Sequence, residues 1–354
     1  MIVTLWARRG CRAIIQLALS LAVLAAGASA AAAQGDVNIY SYREPQLIDP
    51  LLKAFTDKTG IKANIVYASA GLNERLAAEG QNSPADLLFT VDAGRLSEAK
   101  DAGLTQPVDD VALKGAIPAQ YRDPANHWFG LTMRSRVVYA SRDRVKQDAI
   151  TYEELADPKW KGKLCIRSGQ HVYNTSLIAT IIAHKGEEFA EAWLKGVKAN
   201  LAQKPAGGDR EQARDIHSGK CDIALGNTYY MALMAKNTKN PEQQDWGKAI
   251  KPLFPNANDR GSHVNISGMA MAKHAPNKAN ALKLMEFLAS EEAQKIYALA
   301  NNEYPVNPKV EPADIVKSWG KLKPDALPLE NIAKYRKKAS ELVDKVQFDA
   351  GPSS

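Results

Sequence analysis

Cysteine is scarce. Only Cys11, Cys165 and Cys221 occur in 354 residues, which excludes a small disulfide-built scaffold and leaves no paired cysteine spacing for zinc. The six histidines, at 127, 171, 184, 217, 263 and 274, are scattered and also lack zinc-ligand spacing. No G-x-S-x-G nucleophile elbow is present, and Lys161-Gly162-Lys163 is not a phosphate loop. Asp109-Asp110 and Glu187-Glu188 read as solvated loop or helix acids rather than an acid–base pair. Like-charged runs of five or six are missing, and no basic stripe is interleaved with aromatics, so nucleic acid is not an expected partner. After residue 34 there is no apolar run long enough to cross a bilayer, no internal repeat and no low-complexity tract.

What is present begins with a leader. Arg8, Arg9 and Arg12 form a positive segment ahead of the apolar stretch Ala13–Ala26. Ala28-Ser29-Ala30 and Ala31-Ala32-Ala33 both fit a small-residue cleavage site. Residues 1–33 therefore read as a secretory signal peptide cleaved near residues 30–34, and the expected location is the periplasm. Cys11 precedes the apolar stretch, so it is not a lipoprotein cysteine. Removal of the leader takes three arginines out of the +7 net charge. The remaining chain is longer than one compact core usually holds, so two lobes are expected.

Strand and helix patterns alternate through the chain. Val37–Tyr42 alternates as a strand, Leu47, Leu51, Leu52 and Phe55 form a helical stripe, and Ile61–Tyr67 and Asp86–Val91 read as further strands. This spacing predicts an α/β lobe with a mostly parallel sheet. Phe129–Thr132 and Val137–Tyr139 read as longer strands able to pass between lobes, and Val264–Met271 as a strand returning to the first. Ala275-Pro276-Asn277 is expected to cap a helix over Ala279–Leu288. A helix over Ile332–Val346 closes the chain. The expected division is lobe one at 36–132 and 266–306, lobe two at 133–265, and a C-terminal helical segment at 307–354 packing on the lobes. Met133–Tyr139 and Val264–Gly268 are the expected hinge.

The stretch Asp222–Met231, DIALGNTYYM, stands apart. Ile223–Gly226 reads as a short buried strand, broken by Gly226-Asn227, with Thr228 placed to cap a helix that starts at the tyrosines. In a strand, neighbouring side chains point to opposite faces. At a helix start they lie about 100° apart, so Tyr229 and Tyr230 can both reach one point in a cleft. The alternative is one core tyrosine and one at its rim. Cys165 and Cys221 each precede a tyrosine, Tyr173 and Tyr229, by eight residues. An even pair in an oxidising compartment suggests a disulfide, which would tie two strand ends together and favour convergence of Tyr173 with Tyr229 and Tyr230. The alternative is two buried free thiols.

Taken together, the chain resembles the periplasmic ferric-iron-binding proteins, the substrate-binding components of iron(III) ABC transporters. The likeness extends over nearly the whole chain after the leader. It includes Tyr40–Arg43, the LTMRSR segment at Leu131–Arg136, YEELADPKWKGK at Tyr152–Lys163, Val172–Asn174, Gly226–Tyr230 and Tyr304–Val306. The resemblance implies a two-lobe, type II-like periplasmic binding protein fold of the α/β class with a ligand cleft between lobes. It implies phenolate ligands at Tyr173, Tyr229 and Tyr230, and an anion such as carbonate facing Arg43 and Arg134, with Asn174 alongside. It further implies transient docking to an inner-membrane ABC permease, by a monomer that is not embedded in the membrane. Some members bring a histidine from the first loop, but here that loop reads Ser41-Tyr42-Arg43-Glu44-Pro45. Glu44 and Tyr42 are therefore candidates for an extra ligand, and only His171 among the histidines lies near the tyrosines in sequence.

The chemistry is consistent with that resemblance. Iron(III) is a hard cation that favours oxygen donors, and it can deprotonate phenols whose ordinary pKa is near 10. Three phenolates neutralise its charge, and a planar guanidinium suits an added carbonate. Two other readings remain open. One is a binding protein of the same architecture for an organic or inorganic anion or a polyamine. The other is an exported transferase for an anionic substrate, which lacks an evident general base.

Overall fold

The computed structural model describes residues 35–352; the signal-peptide reading over residues 1–33 and Cys11 fall outside the described residues. Ten strands occur in chain order: β1 (Val37–Ser41), β2 (Ala63–Tyr67), β3 (Leu87–Thr90), β4 (Thr105–Gln106), β5 (Phe129–Ser141), β6 (Leu164–Cys165), β7 (Ile223–Asn227), β8 (Ile250–Leu253), β9 (Val264–Ala272) and β10 (Tyr304–Pro305). Their main path is β2-β1-β3-β9-β5-β7-β6. Parallel pairs β1–β2 and β1–β3 sit at one end and the parallel pair β6–β7 at the other, but β5 and β9 pair antiparallel with every neighbour, so the sheet is mixed rather than mostly parallel as the spacing suggested.

β5 joins the two ends. It pairs with β9 from Phe129 to Ser135 and then with β7 from Arg136 to Ala140. The two strands read separately from the sequence, Phe129–Thr132 and Val137–Tyr139, are thus one strand of 13 residues, buried at every position. Meeting both partners within one strand leaves no exposed connector to interrupt the pattern, and burial on both faces replaces alternation with a continuous run. β8 and the helix Glu242–Lys248, which form the outer flank of this second sheet, carry no clear periodicity and were not predicted.

Two apolar cores result. One gathers Val37, Ile39, Phe55, Leu87, Phe89, Phe129, Met269, Leu284 and Tyr297. The other places Val138 and Ala140 of β5 with Ile223 and Leu225 of β7, against Leu177, Ile178 and Ile181 of the helix Val172–Lys185. The opposite face of that sheet, Val137, Tyr139 and Ala224, packs with Ala213, Ile216 and Met234. The two-residue period of the strands separates these faces. The helix Leu329–Lys345 lies against both the Val172–Lys185 helix and the Ala93–Asp101 helix, so it touches elements of both ends.

The disulfide is present. Cys165 in β6 bonds to Cys221, which lies just before β7, with Cα atoms 5.9 Å apart. Two local expectations are corrected. Thr228 does precede the helix Tyr229–Ala235, but its side chain caps nothing there. Its hydroxyl instead accepts from the Ser135 amide of β5 at 3.4 Å, binding the helix start to the strand that changes sheets. Asn277 likewise does not cap its helix; its amide and side chain both donate to the Asp86 carboxylate.

Candidate metal-binding cleft

β6 and β7 are adjacent and parallel, and each runs at its carboxyl end into a helix whose first turn carries a tyrosine. Ligand sites in open α/β sheets form at such strand ends. The equal reach from the bonded cysteines brings the hydroxyls of Tyr173 and Tyr229 to 3.0 Å. Tyr230 stacks beside Tyr229 with ring centroids 4.3 Å apart. All three line a cleft of about 420 Å3 whose opposite wall is built from Tyr42, Arg43, Glu44, Gln46 and Tyr67. Among the described residues, no group of three His, Cys, Asp or Glu side chains is arranged to hold a metal, so a cation here would depend on phenol oxygens.

Burial dominates the state of these phenols. It raises the pKa of Tyr229 well above the ordinary value, and the neighbouring Tyr173 and Tyr230 raise it further. Tyr230 is raised for the same reasons, burial first and then Tyr173. In the absence of a cation both therefore hold their protons at neutral pH.

Beneath the tyrosines lies a buried ion network. Asp209 takes Arg136 at 3.0 Å and Arg167 at 3.2 Å, and accepts the Asn227 amide at 2.8 Å. Burial alone would raise the Asp209 pKa, but these two guanidiniums hold it below the usual carboxylate range. Arg136 also donates to Asn174 at 2.9 Å and to the Asn227 side chain at 3.0 Å. The guanidiniums of Arg167, Arg134 and Arg136 lie 5.3, 5.6 and 5.8 Å from the Tyr173 ring centre. Positive charge therefore surrounds the ring that would bear a phenolate.

The remaining candidates have definite places. Arg43 is buried at the cleft wall and donates to Glu303 at 2.7 Å and to Ser267 at 3.0 Å. Arg134 is buried behind the tyrosines, donating to the Val91 carbonyl and to Ser267 at 3.4 Å. The Asn174 side chain is engaged on both sides, donating to the Arg167 and Ser168 carbonyls at 3.0 Å each. Tyr42 lies under Arg95, with the guanidinium 4.2 Å from its ring centre, and its hydroxyl accepts from the Asn73 amide at 2.9 Å. Glu44 is exposed at the mouth of the cleft and accepts from Gln46. His171 accepts the Tyr173 amide on Nδ1 at 3.2 Å, which leaves the proton on Nε2. Burial and the charges of Arg167 and Arg136 push its pKa down to about 3, so the imidazole is neutral.

Arg95, Arg167 and Arg210 also line the cleft and were not among the sequence candidates. Arg167 sits at the β6 end and Arg210 opens the helix Asp209–His217. Their positions at element ends were the available signal, but single arginines carry no pattern that separates a cleft residue from a solvated one.

Comparison with known proteins follows the same lines. The family described as bacterial extracellular solute-binding proteins matches residues 41–295. Iron uptake protein A2 of Synechocystis sp. is 43% identical over 321 residues, covering 90% of this chain and 91% of that protein. The solved Bordetella ferric binding protein is 54% identical with a TM-score of 0.83, covering 89% of this chain and 99% of its own. The apo ferric ion-binding protein A of Pasteurella haemolytica is 50% identical with a TM-score of 0.85, covering 89% and 98%. These neighbours are two-lobe solute-binding proteins, and this chain has the same fold.

Proposed function

The chain belongs to the bacterial extracellular solute-binding protein family, and from that premise we propose that it binds ferric iron in the periplasm and delivers it to an inner-membrane ABC permease. Tyr173, Tyr229 and Tyr230 supply three phenolates from lobe two. Lobe one, taken as residues 36–132 and 266–306, closes over them from the first loop, where Glu44 is positioned at the mouth and Tyr42 forms part of the wall. Lobe two is taken as residues 133–265, and the helix Leu329–Lys345 of the C-terminal segment packs on both. An oxyanion such as carbonate completes the site. The proteins that this chain resembles include an iron uptake protein and ferric-binding proteins, which favours iron over another solute.

The observation that carries the reading is the 3.0 Å approach of two phenol oxygens from separate helix starts, with a third phenol stacked beside them. Burying these hydroxyls without a cation gains little, because burial and the neighbouring Tyr173 both raise the pKa of Tyr229 and of Tyr230. A trivalent cation reverses that balance. It replaces the protons, and the three ring charges then cancel its own. The surrounding guanidiniums stabilise the phenolates as they form.

Competition against a ferric chelator tests this assignment. Tyr173→Phe and Tyr230→Phe are each expected to keep the wild-type melting temperature within a few degrees and to lose roughly a hundredfold or more in ferric affinity, about 3 kcal/mol. Unchanged ferric affinity in both variants removes the tyrosine site.

A further inference from the structure

A second cavity lies on the far side of β5 from the tyrosines. Met133 and Arg134 are successive residues of that strand, so their side chains leave opposite faces. Arg134 faces the Tyr173 ring. Met133 instead lines a separate cavity of about 380 Å3, together with Tyr304, Pro312, Val316, Leu322 and Pro324. Tyr304 is the register partner of Met133 in the β10–β5 pairing. The other wall comes from the segment 311–324, which is fixed to both cores. Val316 is buried in the first core, and Trp319 packs both there and against the sheet face that carries Val137 and Tyr139.

Two polar features distinguish this cavity from a plain apolar hollow. Tyr304 is only 8% exposed, and its hydroxyl is shielded with no hydrogen-bond partner among the described residues. Burial alone raises its pKa, so at neutral pH it is a proton donor that lacks an acceptor, which is costly. At the mouth stand Glu311, Lys317 and Lys321, all exposed. Asp314, paired with Lys317 at 2.8 Å, and then Glu311 raise the Lys317 pKa, so both acids are taken up by that lysine. Lys321 has no carboxylate within salt-bridge distance among the described residues. We propose that this cavity is a second ligand site, and that it takes a small apolar carboxylate. Its body packs among Met133, Pro312, Val316 and Leu322. Its carboxylate is drawn by Lys321 and accepts from the Tyr304 hydroxyl, as a charged acceptor suits an otherwise unsatisfied donor. The site is separate from the tyrosine cleft and does not rest on the ferric reading.

The test titrates 2-naphthoate calorimetrically into the iron-free protein, as wild type, Tyr304→Phe and Lys321→Gln, with 2-naphthylmethanol as the uncharged analogue. Wild type is expected to bind 2-naphthoate saturably and more tightly than the analogue. Tyr304→Phe is expected to lose roughly tenfold or more, as for one hydrogen bond to a charged acceptor. Lys321→Gln is expected to lose roughly two- to fivefold, the scale of an exposed ion pair. Because Tyr304→Phe removes only an unpartnered hydroxyl, it is expected to melt no lower than wild type. Carbon-13 methyl spectra of the methionines locate the ligand: the Met133 signal, assigned with Met133→Leu, is expected to shift, while Met231 of the tyrosine helix holds its position. No saturable binding by wild type overturns the site, as does equal affinity in wild type and Tyr304→Phe, or a shift at Met231 in place of Met133. A Tyr304→Phe protein that melts well below wild type overturns the unsatisfied hydroxyl and the proposal with it. Equal affinity for 2-naphthoate and its uncharged analogue overturns the carboxylate assignment.

Discussion

At the residue scale, the decisive groups are phenols that are protonated without metal. Tyr229 and Tyr230 are both raised above their ordinary pKa by burial first and then by the neighbouring Tyr173. Binding a cation must therefore expel at least two protons. The sign follows directly: the free site holds protons that the metal-bound site lacks, so affinity rises with pH and falls as acid is added. Each proton released contributes about a tenfold change per pH unit, so affinity is expected to fall roughly a hundredfold or more per unit below neutrality. Proton release on adding a ferric chelate, measured with an indicator and corrected for the chelator, checks this. Release of fewer than two protons per iron contradicts it. The tyrosine pair was legible in the sequence because two adjacent phenols at a strand-to-helix break are locally conspicuous. Of the cations around them, Arg43 and Arg134 entered only through the family resemblance, and Arg95, Arg167 and Arg210 were not legible. Arg43 meets Glu303 across 260 residues and Arg136 meets Asp209 across 73, and no local periodicity reports such pairings.

At the element scale, the site depends on two strand–helix junctions held in register. β6 and β7 pair directly, the disulfide ties Cys165 of β6 to Cys221 just ahead of β7, and a first-turn tyrosine follows each cysteine by eight residues. The equal spacing of Cys165 and Cys221 from their tyrosines made this arrangement legible in the sequence. Gly226 does not break the strand as the sequence suggested but lies within β7, and the need for glycine there was not legible. A Cβ there would collide with the Tyr139 ring, and that ring is fixed because its hydroxyl donates to the Asn227 carbonyl at 2.5 Å. The glycine is needed for this close approach rather than for a turn. Gly226→Ala is therefore expected to destabilise the protein by about 1–3 kcal/mol through overpacking and to shift the tyrosine helix. Thermal denaturation and ferric affinity measured together check it, and a variant matching wild type in both contradicts the packing account. The capping role read for Thr228 failed for a related reason. Its hydroxyl is taken by β5, a tertiary contact that outweighs the local preference.

At the scale of the whole molecule, two cores share β5, and the cleft lies where that strand exchanges β9 for β7. The alternation of strand and helix patterns made the α/β class legible, and chain length made two lobes legible. The unity of β5 was hidden because a strand buried on both faces does not alternate. The first loop supplies one wall of the cleft and the two helix starts supply the other. In the proposed function, closure about this shared strand would bring the walls together and exclude water from the cation. The account's central claim is that the cation is ferric and held by tyrosinate. A visible absorption spectrum recorded while the purified protein is titrated with a ferric chelate at neutral pH tests that claim most directly. A broad tyrosinate-to-iron band that saturates at one equivalent and is lost in Tyr229→Phe or Tyr230→Phe is the expected result. A correctly folded protein that shows no such band at any ratio would contradict it.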